Sequence, residues 1–183
     1  SVVDLGRIRQ ASSSDRRVLV LGASGGVGQL AVQIAKLGGA FVVGVCSTKN
    51  IERVKGLGAD VVVDYTQGDA LAQAGEHGRF HVIVDCAGSY PAARCRALLS
   101  ADGRHIMVAG DSPDSMLQIL VPPFRSKSIL GRPTGARLEP LVAAVAAGKL
   151  RVNIAKKLPL TSAEEAHELS RSGRLTGNLI LEP

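Results

Sequence analysis

Chemistry in this 183-residue chain gathers where glycine, hydroxyl and lysine side chains follow short apolar runs. The first such place is Gly22-Ala23-Ser24-Gly25-Gly26-Val27-Gly28. In the frame G-x-G-x-x-G it reads Ala23, Gly25 and Gly28, with alanine replacing the first glycine. Absent side chains let a backbone approach a pyrophosphate, and a helix beginning there offers unpaired N–H groups and a positive dipole end. The second place is Cys46-Ser47-Thr48-Lys49. A site for a ribose 2′-hydroxyl carries Asp or Glu at the end of the second strand. Here that position offers Cys46 and the hydroxyls of Ser47 and Thr48, and the first acid, Glu52, comes a helical turn later. Lys49 would supply a cation to a 2′-phosphate, and the carboxylate that would repel such a phosphate is missing. NADPH is therefore the expected cofactor. Cys86-Ala87-Gly88 and Val108-Ala109-Gly110 end two further apolar runs. Small residues at strand carboxyl ends let backbone come close to ribose and nicotinamide.

Other chemistries find less support. His77, His81, His105 and His167 are dispersed, and Cys46, Cys86 and Cys95 lack CxxC spacing, so no metal site is expected. Tyr90 is followed four residues later by Arg94, which breaks the Tyr-x-x-x-Lys pair of a short-chain reductase. Asp64 and Asp85 read as turn or cap residues, and no residue is nominated as catalytic. The net charge of +6 is scattered, while aromatics make up 3% of the chain and Trp is absent. A single-strand nucleic-acid binder would need stacking platforms, so the basic balance reads as attraction for a phosphorylated cofactor. No apolar stretch approaches the roughly 20 residues that cross a bilayer. No charged-then-apolar leader opens the chain. A cytoplasmic location, free thiols and neither nucleic-acid nor membrane partners are the expectations.

Elements must hold these residues in place. Val18 to Leu21 is a continuous apolar run, the pattern of a strand buried on both faces. Val27, Leu30, Ala31, Ile34 and Ala35 then recur at helical spacing, with Gly38-Gly39 as the stop signal. Further strands are expected over 41–46, 61–64, 80–85, 103–108 and 127–132. Helices are expected over 51–57, 91–99 and 138–147, with a polar helix or loop at 66–79. Pro113, Pro122 and Pro123 interrupt 111–125. After an extended stretch at 150–158, Thr161-Ser-Ala-Glu164 has the pattern of a capping box for a helix over 162–171. A last strand spans 176–181. Strands alternating with helices predict an α/β fold: a doubly wound parallel Rossmann sheet of order 3-2-1-4-5-6 with helices on both faces.

Five ordered motifs carry a resemblance: Gly22-Ala-Ser-Gly-Gly-Val-Gly28; Cys46-Ser-Thr-Lys-Asn50; Leu57-Gly-Ala-Asp60 with Asp64-Tyr65; Pro159-Leu160 with Ala163 to His167; and Thr176-Gly-Asn-Leu-Ile-Leu181. Together they resemble the cofactor-domain half of medium-chain dehydrogenases/reductases, in the zinc-independent quinone oxidoreductase branch. The resemblance implies an NADPH-dependent reductase of quinones, enals or enones, with Tyr65 beside the 2′-phosphate. It also implies a GroES-like substrate domain ahead of this chain, which starts at Ser1 without methionine. Residues 1–16 then read as a linker, 17–150 as the dinucleotide-binding domain, and 151–183 as a segment returning to the substrate domain. A non-catalytic nucleotide-binding module with the same fold is the alternative. Gly177-Asn178 departs from the Gly-Lys that often precedes the last strand in this family. A homodimer is expected through the sixth strand, Ser126-Lys-Ser-Ile-Leu-Gly-Arg132, because a sheet edge offers unpaired N–H and C=O groups.

Overall fold

The computed structural model describes residues 16–108, 125–128, 134–172 and 175–183. The linker at 1–15, the Pro-rich stretch at 109–124, most of the expected sixth strand beyond Ser128, and the site candidates Ala109 and Gly110 lie outside the described residues.

β1 (Arg17–Leu21) is central in a six-stranded sheet because its run is apolar on both faces. Val18 and Val20 face one core with Ala31, Val32 and Ala35 of α1 (Gly28–Leu37). Leu19 and Leu21 face the other. Burying each such side chain contributes about 1.5–3 kcal/mol. β2 (Phe41–Cys46) and β3 (Val61–Asp64) lie on one side of β1. β4 (Phe80–Asp85), β5 (Leu99–Met107) and β6 (Ser126–Ser128) lie on the other. The order is β3-β2-β1-β4-β5-β6 and each pairing is parallel, as the alternation of elements predicted. α1 and α2 (Ile51–Gly56) cover the first face; α3 (Ala70–Gly75) and α4 (Ala92–Ala97) cover the second.

Local chemistry moves several boundaries. The polar stretch at 66–79 contains α3, started by Asp69, whose carboxylate accepts the N–H groups of Leu71 and Ala72. β5 begins at Leu99, four residues before the expected start. Leu99 pairs with Phe80, and the register shifts before Val82 pairs with Arg104. α5 (Gly135–Ala146) starts three residues earlier than its apolar pattern and accommodates Pro140. The capping box does not form. A single 3-10 turn, Leu160–Ser162, leads into α6 (Ala163–Arg171), and Ser162 makes no side-chain cap. The Leu57-Gly-Ala-Asp60 motif gains a structural explanation, since Asp60 accepts the Val42 N–H at 2.7 Å and pairs with Lys36 at 2.8 Å. Burial raises the Asp60 pKa, but these donors outweigh it and hold the carboxyl below its ordinary value.

The C-terminal residues form a separate parallel pair, β7 (Ile154–Pro159) and β8 (Asn178–Glu182), linked through α6. Two glutamines of α1 hold this unit against the sheet domain. Gln33 Nε2 donates to the Arg151 carbonyl at 2.9 Å while its Oε1 accepts the Arg151 N–H at 2.8 Å. Gln29 Oε1 accepts the Asn153 N–H at 3.1 Å, and its Nε2 reaches the Asn153 carbonyl at 3.4 Å. The side-chain amides act as a strand would, satisfying backbone groups two residues apart on one edge. Both glutamines are buried, so their amides need such partners. Replacing Gln33 by Leu should strip both partners from the Arg151 backbone and cost about 1–3 kcal/mol. Urea unfolding should show that loss, and amide exchange should accelerate across 151–183. Unchanged exchange there would show that the unit is held by something else.

Candidate functional site

The carboxyl ends of β1, β2, β3 and β4 open into a cleft of about 730 Å³. Of the expected site residues, Ser24, Gly25, Ser47, Thr48, Lys49, Tyr65, Cys86 and Ala87 line it. Gly26, Val27, Gly28, Gly88 and Val108 do not, and Ala23 turns inward. The Ala23 side chain is fully buried and its N–H donates to the Val45 carbonyl at 2.9 Å. Gly88 and Val108 serve the loops: their N–H groups bond the Asp85 carboxylate and the Asp85 carbonyl.

The glycine turn is shaped by close backbone contact. Gly22 has φ +73°, the left-handed region that favours glycine. A side chain on Gly28 would put its Cβ 2.1 Å from the Gly22 carbonyl oxygen, so helix and strand end meet only because Gly28 has none. Among the described residues the N–H groups of Val27 and Gly28 meet no acceptor, and α1 has no side-chain cap or acidic residue in its first turn. Unpaired donors and a positive dipole end remain available to an anion.

At the end of β2 the polar groups sort themselves by proton. Thr48 Oγ1 donates to Asp64 Oδ2 at 2.5 Å, and the Thr66 hydroxyl donates to Asp64 Oδ1 at 2.7 Å. These bonds, led by Thr48, hold the Asp64 carboxyl below its ordinary value. The Thr48 proton is thereby engaged within the protein. Ser47 differs: its Oγ accepts from Asn50 Nδ2 at 3.1 Å, so its own proton is free to point into the cleft. Lys49 is exposed and makes no hydrogen bond or ion pair among the described residues. Cys46 stands where an acid would be. Burial, then the Asp64 charge, pushes its thiol up to about 11, so the position is uncharged.

Sequence reasoning missed the contributions of Asn50, Ser89, Tyr90, Leu175 and Thr176 to the cleft. Thr176 Oγ1 donates to Asn50 Oδ1 at 3.3 Å, tying the C-terminal unit to Ser47 through Asn50. Gly25 also bridges to Gly177. The Asn178 amide oxygen packs so closely on Gly26 that a Cβ there would lie 2.4 Å away. No sequence spacing signals these contacts, which span more than a hundred residues.

One buried set, also invisible in the spacing, could by geometry hold a metal: Asp85, Cys95 and His105, whose ligand atoms lie within 4.8 Å of one another. They do not fit a catalytic zinc, which keeps an open coordination position. All three are buried in the core rather than lining the cleft. Asp85 Oδ1 already accepts the N–H groups of Ala87 and Gly88, each at 2.9 Å. Burial, then the Asp85 charge, pushes the Cys95 thiol up to about 12. The set instead shapes the loop after β4.

A family model described as zinc-binding dehydrogenase matches residues 57–181. The chain belongs to that family. This bears out the medium-chain dehydrogenase/reductase resemblance of the motifs. The chain is 34% identical over 177 residues to the chloroplastic quinone-oxidoreductase QR1 of Triphysaria versicolor, covering 94% of this chain and 54% of that protein. It is 37% identical over 172 residues to the chloroplast envelope quinone oxidoreductase homolog of Arabidopsis thaliana, covering 91% and 52%. The chain thus spans about half the length of these relatives. The quinone oxidoreductase of Coxiella burnetii superposes with a TM-score of 0.86 at 24% identity, covering 100% of this chain and 57% of that one. The Escherichia coli quinone oxidoreductase complexed with NADPH gives 0.73 at 24% identity, covering 92% and 57%. Both structures show the shared Rossmann-like fold. The chloroplast names of the curated relatives lend the cytoplasmic expectation no support. Among the described residues no helix is long and apolar enough to cross a membrane.

The buried set also yields a pH dependence. Burial, then Arg96, pushes the His105 pKa from its ordinary 6.5 down to about 4. A folded-state pKa below the unfolded one gives stability that is complete above pH 6.5 and is lost as pH falls toward 4. The loss is of order 3 kcal/mol at about 1.36 kcal/mol per unit. Burial raises the Asp85 pKa, so Asp85 acts in the opposite direction, losing stability as pH rises through its window above 3.8. His105→Gln should flatten the decline between pH 6.5 and 4 in urea unfolding. An unaltered decline would assign it to other groups.

Proposed function

We propose that this chain is the NADPH-binding half of an oxidoreductase acting on quinones, enals or enones. The observation that carries this reading is the end of β2. A neutral Cys46, a Ser47 proton free for the cleft and a Lys49 unpaired among the described residues stand where an NAD site would place an acid. The names of the chloroplast relatives and the NADPH bound to the Escherichia coli structure support it. Bound NADPH would supply a hydride to the acceptor. The described residues would bind and orient it: the N–H groups of Val27 and Gly28 for the pyrophosphate, Ser47 and Lys49 for the 2′-phosphate, and the Ala87 turn for the adjoining ribose. The substrate wall would come from a further domain, toward which residues 151–183 return.

Lys49→Ala should weaken NADPH by about 1.5–3 kcal/mol, the scale of a charge-assisted hydrogen bond, and leave NADH nearly unchanged. Calorimetry with both cofactors tests this, and equal losses would remove the basis for NADPH preference. A homodimer across the sheet edge belongs to the same reading, because β6 stands at one end of the strand order. Light scattering should give the dimer mass at micromolar concentration. A monomer mass would mean that the edge is covered.

A further inference from the structure

We propose that His105 is a positioning residue for the cleft: pinned by Ser126 with its proton on Nε2, it steers the Asp85 carboxyl and, through it, the Ala87 turn. The proposal rests on the cofactor reading above and deepens it, by naming two core residues that set where a cleft backbone stands.

Strand register lines these groups up. Side chains two apart in a strand share a face, so Ile83 and Asp85 of β4 point the same way. His105 of β5 pairs with Ile83, which makes it the diagonal neighbour of Asp85, and its register partner on the other side is Ser126 of β6. Asp85, His105 and Ser126 are all buried. A buried polar group costs free energy unless it is bonded, so the imidazole needs partners. His105 Nδ1 lies 3.2 Å from the Ser126 hydroxyl. The backbone fixes the same neighbourhood, since the His105 N–H donates to the Arg125 carbonyl at 2.8 Å. Nε2 meets no hydrogen-bond partner among the described residues and faces Asp85 Oδ2 at 3.9 Å.

The tautomer follows from what each ring nitrogen faces. Burial keeps the ring neutral near pH 7, with one ring proton to place. A lone pair on Nε2 would oppose the lone pairs of the carboxyl oxygen, whereas a proton there is attracted to them. Ser126 serves either form, because a hydroxyl both donates and accepts. The proton therefore sits on Nε2, and the Ser126 hydroxyl donates to Nδ1. Asp85 passes the constraint on. Its Oδ1 accepts the N–H groups of Ala87 and Gly88, each at 2.9 Å, so carboxyl and turn move as one piece. Gly22 closes on the same turn: a Cβ on Gly22 would lie 3.3 Å from the Ala87 nitrogen. Ala87 lines the cleft, while His105 and Ser126 do not, so their influence on a ligand runs through Asp85.

Long-range proton–nitrogen NMR on the full 183-residue chain reads the ring directly, with four histidines to assign. His105 should show a protonated Nε2 and a bare Nδ1, and the reverse overturns the proposal. His105→Leu keeps an apolar side chain of similar bulk but removes the donor. It should shift the Ala87 and Gly88 amide resonances and weaken NADPH roughly 2- to 12-fold in calorimetry, the range of one hydrogen bond. His105→Gln restores a donor and should bind NADPH close to wild type. An imidazole that served packing alone would let Leu bind as well as Gln, and that result overturns the proposal while the cofactor reading stands. If wild type binds no NADPH, the cofactor reading falls, and the ring proton with the two amide resonances decides the positioning role. Should His105→Leu lose its circular dichroism, Ser126→Ala decides: it should weaken NADPH likewise, and an unchanged affinity overturns the proposal.

Discussion

The close approach of α1 to the end of β1 is the constraint on which the rest of the structure depends. Gly28 sits against the Gly22 carbonyl at a distance no side chain permits. That contact aims the N-terminus of α1 along the carboxyl edge of the sheet. Among the described residues it leaves the N–H groups of Val27 and Gly28 without acceptors at the start of α1. It also fixes the line of the helix, and with it the positions of Gln29, the next residue, and Gln33, just over one turn onward. Those amides then decide where the C-terminal chain can lie.

The consequence is a cleft whose wall is not wholly built by the sheet domain. Leu175 and Thr176 belong to the C-terminal unit, yet they line the same space as Ser47 and Lys49. The chain of contacts from Thr176 through Asn50 to Ser47 makes the orientation of a cleft hydroxyl depend on a segment more than a hundred residues away. Asn178, where the family often has lysine, packs its amide oxygen against Gly26. A neutral group meets the glycine turn there, and among the described residues that line the cleft the cation is Lys49.

Charge around the cleft is controlled by burial as much as by residue type. Three thiols, at Cys46, Cys86 and Cys95, are pushed to about 11 or 12 and stay protonated near neutral pH. Asp64 keeps its charge because two hydroxyls and the Thr66 backbone N–H serve it, and in doing so it takes the Thr48 proton out of circulation. Asp85 bonds the loop after β4, while His105 beside it is held neutral. The cleft thus offers an anion more donors than repelling charges.

The sequence by itself determined the sheet. Continuous apolar runs of four to six residues, separated by glycine turns and periodic helices, predict a doubly wound parallel sheet, and the expected order β3-β2-β1-β4-β5-β6 is the one found. The pattern of Gly22 to Gly28 and the missing acid after β2 were equally legible, because both are statements about residue type at a strand end. Tertiary structure alone decided the partners. Whether Thr48 or Ser47 keeps a free proton depends on Asp64 and Asn50, which adjacent elements bring near. The cluster of Asp85 with Cys95 and His105, and the strand-like role of Gln29 and Gln33, are also products of the fold. Periodicity reports which way a side chain faces. It carries no information about which distant residue will be waiting there, since that is fixed by packing across elements far apart in the chain.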